Sequence, residues 1–152
     1  MTTTYTDSVH DIALNTFEVT CYMFPLDEWE MEDEDIELPD GSVRSVVKFD
    51  GAAEGGMVIN PSSELLAAIA SNMLGEDDAN DEEKKGALCE IANIICGNTV
   101  PLFANNEHIC VIRPPRIAET GENTDETFNG MHREDVKVYL DEGICEITLY
   151  YS

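Results

Sequence analysis

Apolar residues at Val9, Ile12, Ala13, Phe17, Cys21 and Phe24 recur at helical spacing, which predicts a helix over 7–24. Asp7 is placed to cap its start and Pro25 to stop it. The stretch LDEWEMEDEDIELPDG that follows is dense in acid, which predicts a solvated middle whose end enters a strand. Trp29 and Met31 are the only large apolar groups in its densest part. SVRSVVKFDGAAEGGMVINPS then reads as two strands around a Gly-containing connection. A second helix is predicted over 62–74, with Leu65, Leu66, Ile69 and Met73 as its apolar face and Gly75 at its end. EDDANDEE is a polar bridge that puts negative charge where the dipole of a third helix, over about 81–98, favours it.

The last third of the chain alternates differently. HICVIRPP, residues 108–115, is strand-like and stopped by Pro114 and Pro115. ETGENTDETFNGM, residues 119–131, is turn-rich and predicts a mobile loop. VKVYL, a turn at Asp141-Glu142-Gly143 and ICEITLYY predict a closing hairpin. Helix, strands, two helices and strands in that order predict one α+β domain over 1–152, with helices on one face of a mainly antiparallel sheet. The second and third helices share a faint pattern. Glu64 matches Glu90 and Asn72 matches Asn98, with Ala67 where the later copy has Asn93. A weak internal duplication and coincidence both fit.

The third helix raises a question of chemistry. At roughly 100° per residue, Leu88, Ile91, Ala92 and Ile95 point one way and form a core face. Gly86, Ala87, Glu90, Asn93 and Gly97 are expected on the other side. Glycine inside a helix costs about 1 kcal/mol relative to alanine, so a face flattened at both ends calls for a reason. One reason is close approach by another backbone. The plainer reading makes Glu90 and Asn93 ordinary surface residues and Gly97-Asn98 a C-cap.

Charge narrows the partners. Eight Lys and Arg against thirty-two Asp and Glu give a net charge of −24. Such a surface repels phosphate backbones and anionic lipid, so neither nucleic acid nor membrane is expected to bind it directly. The same charge also fits simple solubility or salt adaptation. No stretch nears the roughly 18 apolar residues of a membrane span. The start, MTTTYTDSVHD, lacks the basic and apolar regions of a signal peptide. Cys21, Cys89, Cys96, Cys110 and Cys145 are odd in number and form no CxxC, which predicts reduced thiols in a cytoplasm. His10, His108 and His132 have no metal-ligand spacing, and no metal site is expected.

Glu90-x-x-Asn93 with Gly97-Asn98 after it, GGMVINPSSELLAAIASNMLGE before it and a strand ending in Pro114-Pro115 resembles the CheC/CheX/FliY phosphatases of bacterial chemotaxis. The likeness runs from about residue 8 to the end and is greatest to the CheX type, with its single Glu-x-x-Asn motif. The resemblance implies removal of the phosphoryl group from the aspartyl phosphate of a CheY-like response regulator. It implies that Asn93 orients a water in line with phosphorus, that Glu90 pairs with the regulator's active-site lysine, and that the regulator supplies Mg²⁺. Gly86, Ala87 and Gly97 would then let the partner sit close. CheX-type relatives form dimers through their sheets, so a homodimer through 107–113 or the closing hairpin is expected. The family often carries Asp or Ser four residues before the Glu, where this chain has Gly86.

Other readings compete. A CheX-like domain could dock on a regulator or other signalling partner without catalysis. A self-contained hydrolase could use paired carboxylates such as Asp77 and Asp78, although these sit in a charge run and lack a nucleophile–base pair. A redox sensor could use Cys89 and Cys96, but seven residues of helix separate them by about 10 Å, too far for a disulfide.

Overall fold

The computed structural model describes residues 4–26 and 43–152. The acidic segment at 27–40, with Trp29 and Met31, lies outside the described residues. Helix α1 spans Thr6–Cys21, shorter at its end than the pattern predicts. Tyr5 occupies the N-cap position and Asp7 falls within the first turn, so Asp7 is not the cap. The Tyr5 backbone N–H donates instead to Glu134 Oε1 at 2.7 Å, which fastens the start of α1 to a distant strand. The helix stops at Tyr22, which adopts a left-handed conformation at φ 56°. Its N–H reaches the carbonyls of Glu18 and Phe17, and the Met23 N–H reaches Phe17 at 3.1 Å. The chain has already left the helix when it comes to Pro25, which bridges to Leu140.

Strands β1 (Ser45–Gly51) and β2 (Gly55–Pro61) form an antiparallel pair, with Ser45 opposite Ile59 and Phe49 opposite Gly55. Helices α2 (Ser63–Leu74) and α3 (Asp81–Thr99) follow, then a 3-10 turn at Val100–Phe103. Short strands β3 (Cys110–Ile112) and β4 (Arg116–Ile117) lie along the outer side of β1. They replace the single strand expected over 108–115. Pro114 and Pro115 fall between them, where missing backbone donors interrupt pairing. Strands β5 (His132–Leu140) and β6 (Gly143–Tyr151) make a hairpin longer than predicted, and β6 pairs with β2 in the middle of the sheet. The sheet order is β3-β1-β2-β6-β5, antiparallel throughout, with β4 beside β3 on β1.

Alternation along the strands assigns the two faces. Val47, Phe49, Met57, Ile59, Val138, Cys145, Ile147 and Leu149 join Ala13, Phe17, Leu65, Ile69, Leu88, Ile91 and Ile95 in one buried core, which places α1, α2 and α3 on one face. The architecture is the predicted α+β arrangement. The opposite face carries Val46, Val58, Phe128 and Tyr150. The segment expected as a mobile loop over 119–131 packs there instead. It forms the single turn α4 (Thr124–Thr127), and Phe128 stacks on Tyr150 with ring centroids 4.6 Å apart. Gly56 makes the room, because a Cβ at that point would lie 2.4 Å from the Phe128 ring. Arg133 binds Asp125 at 2.8 Å, and the Tyr150 hydroxyl donates to Asp125 at 2.7 Å. Arg116 pairs with Glu122 at 2.8 Å, and that hydrogen-bonded guanidinium holds the Glu122 carboxyl at about 2.

Candidate functional site

Helix α3 is built to hold one face outward. Asn80 accepts from the Glu83 N–H at 2.8 Å while Glu83 Oε1 accepts from the Asn80 N–H at 3.2 Å, a reciprocal cap. The Asn-x-x-Glu spacing in EDDANDEE was the signal for it. Asp81, Glu82 and Glu83 also place negative charge on the positive end of the helix. Leu88, Ile91, Ala92, Ile95 and Cys96 are fully buried beneath. A stretch within Asp81–Phe103 is long and apolar enough, by length and composition alone, to cross a membrane. That apolar character comes from the side that seals the core.

Glu90 is exposed and Asn93 is half-buried, on the side of α3 away from the core residues. Neither side chain has a hydrogen-bond or ion-pair partner among the described residues. Gly86 is exposed, and a Cβ there would meet nothing within 4 Å. A Cβ at Gly97 would touch only Ile112 Cδ1 at 4.0 Å. The helix continues through Gly97 and Asn98 to Thr99, so Gly97 is not a C-cap. Asn98 donates to the Ile94 carbonyl at 3.0 Å within the same helix.

Ala87 departs from the predicted face. It is only 6% exposed and packs into the main core. Its angle on the helix lies about a quarter-turn from the core centre, and α1 and α2 both pack against α3, which broadens the buried stripe beyond the sheet-facing side. The outward group is therefore Gly86, Glu90, Asn93 and Gly97, with Ile112 of β3 alongside Gly97.

Burial disfavours the thiolate form of both cysteines on this helix. All five cysteines are free thiols. Burial pushes the Cys96 thiol up to about 12, with nearby Cys110 adding to the shift, and burial also raises Cys89. Asp77 and Asp78 are exposed and have no hydrogen-bond or ion-pair partner among the described residues. Among the described residues no group of three or more His, Cys, Asp or Glu is arranged to hold a metal ion. What the face can do is place one amide and one carboxylate, a helical turn apart, against another molecule.

Among curated proteins none matches the chain. Solved structures do. CheX in a CheX–CheY–BeF3–Mg²⁺ complex from Borrelia burgdorferi is 24% identical, with 97% of each chain covered and a TM-score of 0.71. The chemotaxis protein CheX of Vibrio vulnificus is 16% identical over 99% of this chain and 97% of that one, at 0.73. A CheC-like superfamily protein of a Shewanella species is 18% identical over 100% and 99%, at 0.72. These likenesses support the fold. The sequence itself matches the family described as chemotaxis phosphatase CheX over residues 43–140, more than half of the chain, including α2, α3 and the Glu90-x-x-Asn93 turn. The chain belongs to the CheX chemotaxis phosphatase family.

Proposed function

We propose that this chain hydrolyses the aspartyl phosphate of a CheY-like response regulator, acting in trans. The observation that carries the reading is the outward face of α3, where Asn93 and Glu90 are unengaged among the described residues between two glycines that the chain's own packing leaves open. An acyl phosphate is already reactive, so the barrier lies mainly in placing a water and containing charge. The Asn93 amide orients that water without bringing a negative charge toward the phosphoryl oxygens. Glu90 pairs with the regulator's active-site lysine and sets the docking register. The regulator supplies the Mg²⁺. Gly86 and Gly97 let the partner's backbone approach the helix, while Ala87 serves the core beneath it.

The family match and the CheY complex of the Borrelia relative support this reading. A homodimer belongs to it as well. The sheet has two edges among the described strands, β3 with β4 on one side and β5 on the other; β3 falls within 107–113 and β5 in the closing hairpin, the two places where pairing is expected, while β4 lies outside both.

The test separates catalysis from docking. Asn93→Ala should still bind a regulator activated with beryllofluoride, which stands in for the phosphoryl group, and should lose phosphate release. Full release by that variant would remove Asn93 from the mechanism. Binding without any release by the unmodified chain would leave a docking module.

A further inference from the structure

All eight Lys and Arg of the chain lie among the described residues, and the fold sorts them by face. Arg44, Lys48, Arg113, Arg116, Arg133 and Lys137 lie on or beside strands, on the sheet face that carries Phe128 and Tyr150. Arg116 is opposite Val46 and Arg133 opposite Tyr150, and Lys48 and Lys137 keep the same alternation. Arg44 reaches the Glu122 carbonyl in the segment packed there, at 2.8 Å. Lys48 and Arg113 line one hollow with Phe128. On this face the cations are matched. Arg113 binds Asp50 at 2.7 Å, Arg116 binds Glu122 at 2.8 Å, and Arg133 binds Asp125 at 2.8 Å and Asp135 at 3.1 Å.

The helical layer is the reverse. Helices α1 and α2 carry Asp7, Asp11, Glu18 and Glu64, all exposed, and no Lys or Arg. The connection to α3 adds Glu76, Asp77 and Asp78, also exposed. Helix α3 brings Lys84 and Lys85 against Asp81, Glu82, Glu83 and Glu90, and Lys85 stands 4.0 Å from Glu82. A helix C-terminus favours a cation, yet none of these three helices has one in its last turn, and Glu18 stands in the last turn of α1. Glu76 comes directly after the Gly75 that ends α2. Residues 27–42 contain no Lys or Arg, so the chain holds no further cation to supply.

Folding gathers these like charges, and their repulsion opposes the compact state. It acts through water within a Debye length, about 10 Å at 0.1 M salt and about 3 Å at 1 M. A charge that served solubility alone would be indifferent to the face that holds it.

We propose that the packing of the helical layer depends on dissolved salt, with mobile cations screening carboxylates to which the chain gives no counter-charge. The screening is diffuse and calls for no bound ion. Salt also weakens the ion pairs on the far face of the sheet, but exposed pairs contribute little, so the net effect is stabilising. The inference stands independently of the phosphatase reading.

Thermal unfolding of the full chain, followed by circular dichroism, reads it directly. The melting temperature should rise by about 5 °C or more between about 0.1 M and about 1 M KCl, and NaCl should act alike. Glu18→Lys combined with Glu76→Lys, two exposed positions at helix ends, should raise the melting temperature at low salt and shrink the rise. Asp50→Asn, on the matched face, should leave the rise at its original size. A melting temperature that is flat or falls with KCl would overturn the proposal. So would a rise that the double variant keeps in full, which would assign it to general salting-out, or a rise given by one of the two cations only, which would mean a specific ion site.

Discussion

Helices α2 and α3 lie side by side on the same sheet and carry similar residues, yet they use them differently. In α2, Ser62 caps the start by accepting from Leu65 at 3.4 Å, and Gly75 closes the end at φ 71°. The amide of Asn72 holds the end of α1 at 2.7 Å. Each of these groups serves the fold. In α3 the glycines stand inside the helix at ordinary angles, and Asn93 has no partner among the described residues. Glycine at a left-handed helix end relieves strain, whereas glycine in a helix interior weakens it by about 1 kcal/mol. The difference teaches that the polar groups of α2 serve the molecule, while those on the outer side of α3 are left unengaged among the described residues, as the proposed docking face requires.

Exchanging amides should break that symmetry most visibly. Asn93→Asp keeps the shape of the side chain and adds a charge that repels the phosphoryl oxygens. Phosphate release should fall about a hundredfold or more, while the urea midpoint stays close to that of the unmodified chain. Asn72→Ala should do the reverse, costing about 1 kcal/mol in urea unfolding through the lost bond to Cys21, with release retained. If both variants lost activity in proportion to stability, the division between the helices would fail.

The glycines should separate in the same way with smaller effects. Gly75→Ala forces a Cβ into a left-handed turn and should destabilise the fold by about 1 kcal/mol. Gly86→Ala faces open space, so it should stabilise the chain by about 0.5–1 kcal/mol and weaken affinity for a beryllofluoride-activated regulator. Isothermal titration with thermal melts reads both quantities. A Gly86→Ala variant that is more stable and binds unchanged would leave the flat face without a purpose.

The parts of this arrangement that local chemistry determines could be read along the chain. The bounds of α2 and α3 follow from Ser62, Gly75 and the acidic turn before Asp81. The Glu90–Asn93 face follows from helical spacing. Other features depend on contacts distant in sequence. Phe128 is buried because it stacks on Tyr150, a partnership invisible in a stretch rich in turn residues. Ala87 has an intermediate angle on the helix, and neighbouring helices decide that it is covered. Tyr22 ends α1 in a conformation that tyrosine rarely signals. Spacing could likewise show that Asn93 faces outward, but only coordinates could show that no described neighbour engages it.

The central claim is that the α3 face accelerates hydrolysis of another protein's aspartyl phosphate. The most direct measurement follows phosphate release from a pre-phosphorylated cognate regulator with Mg²⁺ present, as increasing substoichiometric amounts of this chain are added. The account predicts a release rate that rises in proportion to the amount of chain, with each molecule turning over many times. A rate that stays at the regulator's own value at every addition would contradict it.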